Sequence, residues 1–238
     1  MFGAYAAEVL SGTISASNAR YLTMSSGYSN FGNLSCVPNS ILTVQDCYNT
    51  GTNANYSAGN LNKFYYNGGH FQKWAMDNGM SSLTEAQLAA EFQAKLAPTM
   101  SLSFGSPQLA GGVVTSAGEY AKFLTRILAS QLRITNLLGT NAVCTLPSAC
   151  ATAVASPIPE EWHYSLGHWV EDDPTTGDGS FSSAGLFGFY PWIDSSKTYY
   201  GIVSRYEIPA GGNEIGEGYA SMLCGRLIRK AFVTGTAQ

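Results

Sequence analysis

The chain has 238 residues and a net charge of −4, and only 12% of its side chains are charged, against about 25% in typical soluble domains. That length fits one ordinary domain or two small ones and is enough to bury a core. No run of Lys or Arg is available to track phosphates, and no apolar stretch approaches roughly 18 residues, which argues against nucleic-acid binding and against a helical membrane span.

The opening segment, Met1 to Leu10, is apolar but carries Glu8 and no basic start, so it makes a poor signal peptide. Residues 2–11 read as a helix ending at Gly12, and as the middle of one that began further upstream. Residues 25–62 are rich in Gly, Ser, Asn, Tyr and Thr without a steady period; they predict a long ordered loop, a kind of segment that is usually functional. Asn33-Leu34-Ser35 and Asn55-Tyr56-Ser57 match the glycosylation acceptor pattern. A short helix opens near Asn67 and stops at Asn78-Gly79. Ser82-Leu83-Thr84-Glu85 resembles a capping box for a helix through Leu96, ended by Pro98. Thr115 to Glu119 starts another helix, with Tyr120, Phe123, Leu124, Ile127 and Leu128 at helical spacing.

Residues 139–160 form a Pro/Ser/Ala/Cys linker, after which the pattern changes. Trp162 to Val170, Phe181 to Ile193 and Tyr199 to Tyr206 are aromatic and β-branched runs separated by turn residues, which predicts a three-stranded antiparallel meander. The last element, Glu214 to Phe232, places Tyr219, Met222, Leu223, Leu227 and Ile228 on one face of an amphipathic helix. Residues 1–160 are thus mainly helix and loop, and 161–238 are the meander plus the helix that covers it, an α+β arrangement.

The five cysteines fall as Cys36/Cys47, Cys144/Cys150 and a single Cys224. Neither pair has zinc spacing, so no metal is expected. The simplest reading is two local disulfides with Cys224 a buried free thiol; the other reading is inert reduced thiols. Disulfides, together with a surface of small uncharged polar groups, place the chain in a secreted or periplasmic setting. Glu160-Glu161 and Glu171-Asp172-Asp173 read as solvated turn charges. Asp172, Asp173 and Asp178 lack the alternating ligands of a calcium loop. Trp162, Trp169 and Trp192 are expected to pack the sheet and the walls of a cleft.

Several stretches in order resemble one family. Arg20-Tyr21-Leu22-Thr23-Met24-Ser25-Ser26-Gly27-Tyr28 resembles a segment ending in Thr-Ser-Gly. Tyr65-Tyr66-Asn67 resembles a Tyr-x-Asn motif at a helix start. Ala110-Gly111-Gly112 through Phe123 resembles an Ala-Gly-Gly, Ser/Thr-Ala, Asp-Tyr-x-x-Phe stretch. Tyr164 to Trp169 resembles a Tyr-Gly-x-Gly-Trp strand, and Ser183-Ala184-Gly185 a Lys-Thr-Gly or His-x-Gly strand. Together these are similar to the penicillin-recognising serine hydrolases: class C β-lactamases, DD-peptidases and their esterase relatives. The family's Ser-x-x-Lys motif is not in this sequence. Three residues before Lys63, Lys73, Lys95, Lys122, Lys197 and Lys230 stand Asn60, His70, Phe92, Glu119, Asp194 and Leu227. The resemblance therefore implies a chain beginning a few residues after that lysine, a single incomplete domain without the N-terminal strands.

The resemblance implies a hydrolase of esters, amides or lactams, working through an acyl-enzyme on a small-molecule or peptide-like acyl substrate and without a cofactor. Tyr65 would be the base that activates a serine hydroxyl unreactive by itself. Asn67 would bind the acyl side-chain amide, its other reading being a helix N-cap. The Leu186 N–H would be the second oxyanion donor beside Gly185, where substrate lies close; Gly185 also reads as a bulge or close packing. Ser183 stands where the family carries Lys or His, which removes a cation for a substrate carboxylate and favours a neutral substrate. His70, a lone histidine on an aromatic helix, reads first as structural. Without the nucleophile the chain is expected to be inactive alone. A non-catalytic binding module that kept the cleft and a truncated reading frame are the competing readings, which the coding sequence upstream of Met1 separates. Tyr199 to Tyr206 would be an open edge prone to self-pairing.

Overall fold

The computed structural model describes residues 1–32, 35–37, 40–208 and 216–238. The acceptor pattern at Asn33 and the expected helix start at Glu214 fall outside these residues.

Six helices precede the main sheet: Phe2–Leu10 (α1), Ala16–Leu22 (α2), Val44–Tyr48 (α3), Gly69–Asp77 (α4), Glu85–Leu96 (α5) and Ala117–Leu128 (α6). Their starts follow local capping chemistry, in which a side-chain oxygen accepts an otherwise unpaired N–H of the first turn. Ser116 Oγ accepts from the Glu119 N–H and opens α6. The start of α5 differs from the expected box in its partners: Thr84 is the cap and Gln87 the residue that reaches back. Two helices break up what reads as irregular sequence. Ser15 caps α2, and a Thr43–Asp46 capping box sets α3 inside the long loop. Both are so short that few apolar positions mark a period.

Among the described residues the main sheet has six strands, all antiparallel, in the spatial order 200–203, 190–193, 180–182, 168–171, 163–165 and 143–144. Three two-residue strands come first: Phe64–Tyr65 (β1), Ser103–Phe104 (β2) and Val113–Val114 (β3). Then follow Val143–Cys144 (β4), Ala153–Ala155 (β5), His163–Ser165 (β6), His168–Glu171 (β7), Ser180–Ser182 (β8), Tyr190–Ile193 (β9) and Tyr200–Val203 (β10). β1 pairs with β5 in parallel, and β2 with β3 antiparallel. The predicted three-strand meander is therefore too simple. Trp162 to Val170 holds a hairpin, turning at Gly167 with φ +83°, and Phe181 to Ile193 holds parts of two strands around the loop 183–189. Continuous aromatic runs hide these turns, because a two-residue turn needs only one glycine at positive φ. The linker 139–160 supplies β4 and β5. β10, expected as an edge, is one of the two edge strands of the sheet among the described residues, β4 being the other. Both disulfides, Cys36–Cys47 and Cys144–Cys150, are formed.

The helix Gly216–Thr234 (α7) lies against β9 and β10, but on a different face from the one expected. It buries Gly218, Ser221, Met222, Gly225 and Arg229, while Leu223, Leu227 and Ile228 are exposed, as is Cys224. The reason is close approach. A Cβ on Gly225 would sit 2.5 Å from the Tyr190 ring, and one on Gly218 would sit 2.3 Å from the Gly185 carbonyl oxygen. Small residues rather than leucines mark most of the buried face; of the five residues expected there Met222 is fully buried and Tyr219 partly so.

α1 is buried from Phe2 to Ala7. Phe2 packs on Phe71 and Trp74 with ring centroids 4.6 and 5.4 Å away, and Tyr5 stacks on Phe92 at 4.5 Å. Gly3 faces the β6–β7 turn with no room for a side chain: a Cβ there would stand 1.8 Å from the Leu166 carbonyl oxygen and 3.0 Å from Gly167 Cα. Gly3→Ala is expected to destabilise the chain by about 1–3 kcal/mol, because the backbone itself must shift. Denaturant unfolding measures this, and an unchanged midpoint would show that α1 moves freely on the turn.

Candidate functional site

β1 places Tyr65. Strand alternation points Phe64 inward, where it is 1% exposed and lies 5.7 Å from Tyr164 and 5.9 Å from Trp169, and it turns Tyr65 to the other face. The Tyr65 N–H donates to the Met24 carbonyl at 3.0 Å, and its own carbonyl accepts from His70 Nε2 at 3.0 Å. Tyr65 is therefore fixed from both sides of its backbone.

Asn67 is largely engaged in holding the long loop. Its Oδ1 accepts from the Phe31 N–H at 3.0 Å and the Gly69 N–H at 2.9 Å, and its Nδ2 donates to the Phe31 carbonyl at 3.2 Å. The cap of α4 is Gly68, not Asn67. One Nδ2 hydrogen has no partner among the described residues.

The second stretch begins where β8 ends. The Ser183 N–H donates to the Pro191 carbonyl at 3.1 Å, and the Gly185 N–H to the Phe189 carbonyl at 2.9 Å. Gly185 has no room for a side chain on this turn, since a Cβ would meet the Phe189 oxygen at 2.9 Å. Leu186 is 39% exposed, and its carbonyl accepts from the Glu217 N–H at 3.2 Å. Its N–H has no partner among the described residues. An unpaired N–H on a segment pinned on both sides is a ready hydrogen-bond donor.

The two stretches are linked through neighbouring strands. Tyr66 stacks on Trp169 at 5.3 Å, and Trp169 of β7 is the register partner of Ser182 of β8. Met1, at the start of α1, lines a cavity of about 50 Å³ together with Gly167, His168, Ser182, Ser183 and Trp192. The start of α1 thus abuts the end of β8, next to Ser183. Trp162, Trp169 and Trp192 are all buried in the sheet.

Glu171 and Glu160 depart from their expected role as solvated charges, whereas Asp172 is exposed and Asp173 is a turn charge. Glu171 is fully buried; its Oε2 accepts from Arg229 Nη2 at 2.7 Å, and its Oε1 from the Tyr190 hydroxyl. Arg229, 2% exposed, also pairs with Asp178 at 2.7 Å. Burial works against its charge, but Glu171, Tyr190 and Asp178 outweigh that and raise its pKa further. Glu160 pairs with Arg226 at 2.8 Å and accepts from the Tyr219 hydroxyl at 2.8 Å. These groups fasten α7 to the sheet. Asp172 pairs with His163, and Asp173 accepts from the Thr175 and Thr176 N–H groups. With Asp178 on Arg229, the three aspartates hold separate partners. Sequence reading misses the cluster because Glu171 and Arg229 lie 58 residues apart.

His70 is fully buried, and burial pushes its pKa down to about 4. Its Nδ1 is 2.7 Å from Ser26 Oγ. Nothing in the sequence links these two residues.

No protein-family model matches the sequence, and no curated protein matches it. Solved structures do match. A candidate β-lactamase from Bacteroides dorei DSM 17855 is 18% identical, with 96% of this chain and 82% of that one covered at a TM-score of 0.65. The LovD9 mutant of simvastatin synthase from Aspergillus terreus is 14% identical, with 87% and 68% covered at a TM-score of 0.51. At these identities the likeness establishes the fold: an α+β, β-lactamase-like arrangement of a helical block and an antiparallel sheet under a C-terminal helix.

Proposed function

We propose that the chain carries the acyl-binding cleft of a serine-hydrolase-like protein, formed by Tyr65 and Asn67 on one side and Ser183, Gly185 and Leu186 on the other. The Leu186 N–H, unpaired among the described residues on a hydrogen-bonded turn, carries this reading, because a carbonyl-binding site needs a donor that is both unpaired and held in place. The ligand is a neutral ester, amide or lactam, since Ser183 offers no cation to a carboxylate. These 238 residues contain no Ser-x-x-Lys, so within this chain the cleft binds an acyl group without an acyl-enzyme at that motif. The two disulfides favour an oxidising compartment, secreted or periplasmic.

N-phenylbutanamide, a neutral amide, serves as the probe in a nuclear magnetic resonance titration. The expected result is shifted backbone amides at Tyr65, Asn67, Ser183 and Leu186. Leu186→Pro, which removes the N–H, is expected to weaken binding roughly two- to tenfold, the worth of one hydrogen bond, with the rest of the spectrum intact. Shifts confined to other surfaces, or none up to the solubility limit, would reject the cleft.

A further inference from the structure

We infer that Ser26 and His70 form a second reactive site, a nucleophile and its base, that takes a small anionic aryl ester. This goes beyond the acyl cleft; the two sites meet only at Tyr65, whose carbonyl oxygen faces His70 Nε2.

The geometry fixes the proton positions. Nε2 of His70 faces the Tyr65 carbonyl oxygen at 3.0 Å. A carbonyl only accepts, so Nε2 carries the ring hydrogen. In the neutral ring Nδ1 then presents a lone pair, and the Ser26 hydroxyl at 2.7 Å donates to it. This is the relation a serine nucleophile needs with its base: hydroxyl to unprotonated nitrogen, with the opposite nitrogen held by an acceptor. The Tyr65 carbonyl fixes the tautomer, as a carboxylate does in other triads. The buried ring stays unprotonated at neutral pH.

Ser26 also borders a place for a substrate. Ser26 lines a pocket of about 220 Å³ with Ser17, Arg20, Tyr21, Tyr28 and Tyr56. The Tyr28 and Tyr56 rings lie 5.3 Å apart on one wall. Arg20 is exposed, and its guanidinium has no partner among the described residues. Aromatic walls and an unpaired guanidinium suit an aryl group bearing a carboxylate.

The step balances without an added reagent. Ser26 Oγ attacks the ester carbonyl carbon while its proton passes to His70 Nδ1. The tetrahedral adduct collapses, the C–O bond to the aryl group breaks, and Nδ1 returns the proton to the departing aryl oxygen. Water then attacks acyl-Ser26, its proton taken by Nδ1 and returned to Oγ, and the carboxylic acid leaves.

Diisopropyl fluorophosphate labelling of the whole chain, with peptide mapping, tests the nucleophile. The expected result is one adduct, on Ser26, absent in Ser26→Ala, retained in Ser25→Ala and formed at least 100-fold more slowly in His70→Gln. Circular dichroism identifies any variant that has unfolded, and the wild-type and Ser25→Ala results decide the matter even if His70→Gln does not fold. With 4-acetoxybenzoate as substrate, turnover is expected to exceed that of phenyl acetate, and Arg20→Gln to abolish the preference. No adduct on the folded chain, or an adduct on any other residue, overturns the site. An adduct on Ser26 without preference for the anionic ester overturns the substrate class. A failed titration of the neutral amide cleft leaves these results untouched.

Discussion

Arg229→Met is expected to lower the stability of the chain by about 3–5 kcal/mol, the cost of leaving a buried charge without its partner. The remaining charge is Glu171, which is fully buried and would keep only the Tyr190 hydroxyl among its partners on the sheet. Asp178 is more forgiving, because its side chain is 39% exposed and water can replace the guanidinium. For a chain of this length the loss corresponds to roughly 6–20 °C in Tm. The double variant Arg229→Met with Glu171→Leu is expected to recover most of it, since no buried charge is left unpaired. Thermal and denaturant unfolding of the single and double variants measure both quantities. A single-variant loss under about 1 kcal/mol would mean that solvent reaches Glu171 and that the cluster is not what fastens α7.

Acid is expected to destabilise the chain through His70 well before the carboxylates protonate. Its ring titrates at about 4 when folded and near 6.5 when unfolded. Between those values the unfolded chain binds the extra proton, so stability rises with pH across the window and falls as pH is lowered. The contribution is complete above about pH 6.5, is lost progressively down to about pH 4 and amounts to about 3 kcal/mol. His168, held down by burial to about 3, adds a slope of the same sign, so the comparison must be with a variant. His70→Gln is expected to flatten its own share of the slope while costing about 1–3 kcal/mol at neutral pH, where Ser26 and the Tyr65 carbonyl lose a partner. Equal slopes in wild type and variant between pH 4 and 6.5 would mean that the ring is charged in the folded chain.

Elements with a strong local signal were legible in the sequence. α6 announces itself by Ser116 and by apolar residues at helical spacing, and the α+β order follows from the switch in pattern after residue 160. Both disulfides could be read from spacing and composition. What was not legible depends on partners distant in the chain. The buried face of α7 is set by Gly218 and Gly225, whose importance comes from Gly185 and Tyr190. Glu171 looks like a turn charge until Arg229 is placed on it. The motif at Ser183 to Leu186 could be located by resemblance, whereas the unpaired state of the Leu186 N–H among the described residues is a matter of loop geometry. The Ser26–His70 pair joins residues 44 apart, and no spacing rule connects a hydroxyl in one loop to an imidazole on a later helix.

The seat of α1 on the β6–β7 turn has a genetic consequence. Leu166 and Gly167 meet Gly3 with their main chain alone, so no neighbouring side chain can be trimmed to admit a larger residue. Gly167 itself sits at φ +83°, a conformation that L side chains adopt only with strain. A suppressor screen against a bulky Gly3 mutant should therefore return reversion to glycine and little else, because every atom that would have to yield is backbone common to all amino acids.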